Sequence, residues 1–103
     1  MYKLCFYVPE EAVEVVKEAV FSAGGGRIGN YDRCCWQVLG TGQFRPLQGS
    51  SPHLGEQGQL ACVAEYRVEL VCRDDKVAEV VTALKQAHPY EEVAYDVVRM
   101  VDI

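Results

Sequence analysis

The sequence predicts a single α+β domain over residues 1–103 with the element order βαββαβ. Three observations predict it: short alternating apolar runs that suit strands, two segments with apolar residues at helical spacing, and the succession strand, helix, strand occurring twice. Half of the residues are apolar and 24 % are charged, which is a globular composition.

Tyr2 to Val8 is rich in aromatic and branched residues and stops at Pro9, so it predicts the first strand. Pro9, followed by Glu10 and Glu11, suits the start of a helix, where a missing N–H costs nothing and negative charge meets the positive dipole end. Val13, Val16 and Val20 continue that helix on one face until Gly24, Gly25 and Gly26 end it. Tyr31 to Leu39 carries Cys34, Trp36 and Val38 at period two and predicts a second strand with Trp36 as a buried anchor. Leu60 to Cys72 alternates over its whole length, with Cys62, Ala64, Tyr66, Val68, Leu70 and Cys72 on the core side. Asp74 is placed as the cap of a second helix carrying Val77, Val80, Val81 and Leu84, which His88 and Pro89 end. Glu91 to Ile103 alternates again and predicts the fourth strand. Two βαβ units with right-handed crossovers make a ferredoxin-like four-stranded antiparallel sheet with both helices on one face. The other face would carry apolar residues of the third and fourth strands, which predicts a homo-oligomer, with a trimer preferred.

Asp and Glu outnumber Lys and Arg by 15 to 10 and the cations are scattered, so no surface for a phosphate backbone is expected and direct nucleic-acid binding is not predicted. The N-terminal run contains Lys3 and no long apolar stretch, so neither a signal peptide nor a membrane helix is expected and a cytoplasmic location follows. Cys5, Cys34, Cys35, Cys62 and Cys72 are odd in number and without CxxC spacing, which predicts reduced thiols, mostly as core filler.

Two segments concentrate binding chemistry. Gly40 to Gln59 holds five glycines and two prolines without helical or strand period, a connection much longer than a hairpin needs. His88, Pro89, Tyr90 and Glu91 join a titratable ring, a rigid turn and a carboxylate at a helix end. The predicted ligand-binding residues are Gly42, Phe44, Arg45, Pro46, Pro52 and His53 of the first segment, meeting His88, Tyr90 and Glu91 of a neighbouring copy. Glu65 and Glu69, about 13 Å apart along one strand face, are too distant for a paired-carboxylate site and are assigned to a salt-bridged or solvated surface. No spacing predicts a catalytic set, so no activity of its own and no cofactor are expected. The rival is a divalent metal held by His53, His88 and Glu91.

The motifs GRIGNYDRCCW, GTGQFRPLQGSSPHLGEQG, VAEYRVE and AHPYEEVAYDVV together resemble the YqfO-type domain, which occurs alone or as the insert of Nif-three-like dinuclear-metal hexameric proteins. HPYE is also similar to the C-terminal motif of the CutA proteins. The resemblance covers essentially the whole chain and implies a domain of the CutA and PII kind that trimerises through its sheet. The histidines and acids that hold metal in the larger relatives belong to a core domain surrounding the insert, so the resemblance implies no metal site here.

Overall fold

The structure of the chain, a computed structural model, describes residues 1–103. The elements are β1 (Tyr2–Pro9), a 3-10 turn (Glu10–Ala12), α1 (Val13–Ser22), β2 (Trp36–Phe44), β3 (Ala61–Cys72), α2 (Val77–Ala87) and β4 (Tyr95–Arg99). The four strands form one sheet in the order β2-β3-β1-β4, and every pairing is antiparallel. This is the predicted ferredoxin-like architecture.

Side-chain alternation decides which sheet face meets the helices. Leu4, Phe6 and Val8 of β1 and Val68, Leu70 and Cys72 of β3 point to one face. There they are buried against Val13, Val16 and Val20 of α1 and Val80 and Leu84 of α2. The α1 stripe repeats at three and four residues, which keeps it on one side of the helix. Burial pushes the Cys72 thiol up to about 11, so it behaves as a core hydrophobe.

Several boundaries differ from expectation. Pro9 is the last residue of β1 and pairs with Glu65, and the α-helix begins only at Val13 after the 3-10 turn. Asp74 does not cap α2, whose cap position is Lys76; its carboxylate binds the Met1 ammonium at 2.5 Å and also pairs with Arg99. β4 is confined to Tyr95–Arg99, leaving Val101 and Ile103 exposed beyond it. Only Cys5 and Cys72 are buried, Cys72 in the core and Cys5 on the sheet face away from the helices opposite Glu69, while Cys35 and Cys62 are exposed, so core filling accounts for one of the five thiols.

The largest correction concerns β2. It starts at Trp36 and continues through Gly40 and Gly42 to Phe44, so part of the expected loop is strand. Trp36 lies opposite Glu69 and Val38 opposite Arg67. Both therefore share the face turned away from the helices. Trp36 is 59 % exposed and is no core anchor. That open face also carries Val63, Val71 and Val98, together with Lys3, Glu69 and Arg67, whose side chains pair with one another.

Candidate functional site

The β2–β3 ribbon carries the site at its far end. Phe44 closes β2 opposite Ala61, and the chain between them folds back over the ribbon. That loop is held by its own backbone: the Gly58 N–H donates to the Pro46 carbonyl at 2.7 Å and the Ser50 N–H to the Leu47 carbonyl at 3.1 Å. Pro46 is buried beneath it. The Ser51 N–H then donates to Glu91 Oε1 at 2.8 Å, pinning the loop to the turn that follows α2.

His88 sets that turn. It is buried and sits at the C-terminal cap of α2, where its N–H donates to the Leu84 carbonyl. The Tyr90 N–H donates to His88 Nδ1 at 3.1 Å, so the ring proton resides on Nε2, which donates to the Tyr7 carbonyl of β1 at 2.7 Å. Both nitrogens are thus engaged. Burial lowers the pKa of His88 against the opposing pull of the Tyr7 carbonyl and Glu65. The neutral ring is the form that fits, since a proton on Nδ1 would face the Tyr90 N–H.

A pH dependence follows. The folded pKa lies below the unfolded value near 6.5, so the unfolded chain binds the extra proton first as pH falls. The contribution of His88 is complete above about pH 6.5 and declines as pH drops from there toward the folded pKa. Denaturant midpoints taken from pH 7.5 to 5 should fall more steeply for the wild type than for His88→Gln; parallel slopes would contradict the assignment.

Tyr90 projects from the turn between the rings of Phe44, 6.0 Å away, and His53, 6.3 Å away, with the His88 ring at 4.9 Å. Its hydroxyl donates to Glu65 Oε2 at 2.8 Å. Burial, then the hydrogen bond and charge of Glu65, push the Tyr90 pKa upward, so the phenol keeps its proton. The Glu65 carboxylate lies against the backbone of Gly42. A Cβ built on Gly42 would come within 1.9 Å of Glu65 Oε1, which is why a residue without a side chain occupies this strand position.

These groups enclose a cavity of about 430 Å³ whose lining includes Phe44, Arg45, Pro46, Pro52, His53 and Glu65. Tyr90, Glu91 and Glu92 complete its other side. The structure brings together seven of the nine residues expected from sequence, and within one chain instead of across two copies. Gly42 stands just outside, in an adjoining hollow on the open face that shares Glu65 and Tyr90 with the cavity. His88 lies behind Tyr90 as its support. Glu65, assigned to the surface with Glu69, belongs to the cavity; Glu69 is the salt-bridged one, with Lys3 and Arg67 as partners. The signal for Glu65 was its register: it lies opposite Gly40 and reaches across to Gly42. No three His, Cys, Asp or Glu side chains converge as metal ligands, and His88 has no free nitrogen to offer. No helix is long and apolar enough to cross a membrane.

No family model matches the chain. It is 50 % identical over 99 residues to the GTP cyclohydrolase 1 type 2 homolog of Mycobacterium tuberculosis, a match covering 96 % of this chain and 26 % of that protein. The protein of the same name from Bacillus subtilis is 45 % identical over 95 residues, again across 92 % of this chain and 26 % of its own length. A solved Bacillus cereus protein related to NIF3 superposes with a TM-score of 0.83 at 40 % identity, covering 98 % of this chain and 26 % of that one. CutA from Archaeoglobus fulgidus superposes with a TM-score of 0.65 at 15 % identity over 97 % of this chain and 84 % of its own, a likeness of fold. The chain spans about a quarter of the length of the curated relatives it matches. Over nearly its whole length it is therefore similar to one segment of NIF3-related proteins, and that segment has the fold seen in CutA.

Proposed function

We propose that the chain is a YqfO-type binding module, with no catalytic activity of its own, that takes a small molecule in the cavity beneath the 45–60 loop. The observation that carries this reading is the cavity itself. A rigid ribbon, a pinned loop and a supported turn converge on a space of about 430 Å³, within the ordinary range for small-molecule sites. The chemistry of the lining suits holding better than transfer. The Tyr90 hydroxyl keeps its proton and donates it in a hydrogen bond to Glu65, and both His88 nitrogens are occupied by backbone groups. The activity named for the longer relatives is not extended to this quarter-length counterpart.

The module is further proposed to be a cytoplasmic homo-oligomer, a trimer, that covers the open sheet face. Trp36, Val38 and Val98 are exposed there at 59 %, 44 % and 55 %, and an apolar patch of this kind marks an interaction surface.

Thermal unfolding of the wild type, Arg45→Ala and Glu91→Ala against nucleotides, carboxylates, amines and divalent metals tests the pocket. At least one class should raise the wild-type melting temperature, and both substitutions should change that response while sedimentation stays unchanged. Equal responses in all three proteins would sink the reading.

A further inference from the structure

Glu65 and Glu69 project from the same face of β3, two repeats of the pleat apart, yet their surroundings are opposite. Glu69 is paired with Lys3 Nζ at 3.2 Å and Arg67 at 2.8 Å. Glu65 is half-buried and has no cation within ion-pair distance; its donor is the neutral hydroxyl of Tyr90. A carboxylate drawn partly out of water is stabilised by a counter-charge, and the nearest candidate, Arg67 in the adjoining hollow, is already paired with Glu69.

The rest of the lining has the same sign. Glu91 accepts only the Ser51 N–H, and Glu92 has no partner. Arg45 is the single cation of the lining and is exposed, without an ion-pair partner of its own. Three carboxylates thus face one guanidinium. The charges acting on the Tyr90 hydroxyl, from Glu65 and Glu11, are both negative, in keeping with this balance. Phe44 and Tyr90 supply aromatic wall, and the hydrogen bond from the Tyr90 hydroxyl to a carboxylate enriches its ring face.

Resting on the pocket reading above, we infer that the cavity takes an organic cation, an ammonium or guanidinium group on an apolar body, with Glu65 as its counter-charge and the rings of Phe44 and Tyr90 as its wall. An anion of the same shape would have to displace solvent from beside Glu65 and meet like charge. A cation completes a carboxylate left unpaired in the free chain.

The test uses three probes with one body and three heads: phenylbutylamine, phenylbutanol and phenylbutyrate, each titrated into isotope-labelled chain and followed by backbone amide shifts. The amine should bind about tenfold more tightly than the alcohol, with the largest shifts at Gly42, Glu65 and Tyr90. Glu65→Gln should abolish the difference in affinity between the amine and the alcohol. Tyr90→Phe, which keeps the ring and frees the carboxylate, should retain the preference for the amine. If the alcohol binds at these residues but the amine binds no better, or the carboxylate binds best, or the preference survives Glu65→Gln, the cation assignment is wrong while the pocket stands. If none of the probes moves these residues, pocket and assignment fall together.

Discussion

Phe6→Ala is expected to cost about 3–5 kcal/mol of folding stability, the largest loss of any single truncation in the molecule. Phe6 is wholly buried in β1, the strand that pairs with both β3 and β4. It lies opposite Val68 and Tyr95 and belongs to the same packed cluster as Val16, Val20, Val80 and Leu84 of the helices. Removing the ring leaves a cavity between sheet and helices that neither layer can close without breaking its own hydrogen bonds. Urea unfolding with an unchanged dependence on denaturant measures the loss directly; a cost below about 1 kcal/mol would mean that the core is not organised around β1.

Gly26→Ala should cost on the order of 3 kcal/mol, for two separable reasons. Its φ is +80°, which an L side chain adopts at about 1–2 kcal/mol. A Cβ would also stand 2.8 Å from the Cys34 carbonyl oxygen and 3.0 Å from the Phe21 ring, and the backbone cannot retreat, because Gly26 donates to Val71 at 2.8 Å and accepts from Cys34 at 2.9 Å. Gly29 isolates the first cause, since its φ is +56° and nothing lies within 4 Å of its Cβ position. Gly29→Ala should therefore cost about 1 kcal/mol. Thermal or denaturant midpoints that fail to separate the two variants would show that the space around Gly26 can relax.

The helices, the order of strands and the core were legible because Val13, Val16 and Val20, and likewise Val68, Leu70 and Cys72, carry a periodicity that burial itself imposes. Trp36 was misplaced for a reason internal to that logic. Period two tells which residues share a face but not which face is the core, and a large aromatic favours the core; the register with Glu69 puts Trp36 on the other side. Gly40 and Gly42 hid the second half of β2, since glycine weakens strand propensity, whereas here Gly42 makes room for the carboxylate of a neighbouring strand. Asp74 had the right chemistry for a cap but found a stronger partner in the Met1 ammonium. The site residues of the loop and of the turn were visible as segments of unusual composition. Their meeting within one chain, and the membership of Glu65, depended on register and loop path, which single-sequence periodicity does not carry.

The cavity is assembled from parts that are distant along the chain. Tyr90 meets Glu65 across 25 residues, Glu91 meets Ser51 across 40, and His88 reaches Tyr7 across 81. No contiguous fragment contains the pocket, and the loop alone has neither its floor nor its far wall. A hairpin that has formed without β1, or a β1–β3 pair without the turn after α2, offers a ligand nothing. Occupancy therefore counts only completely folded molecules, and a bound ligand returns its whole binding free energy, RT ln(1 + [L]/Kd), as protection against unfolding, with no share lost to partly folded competitors.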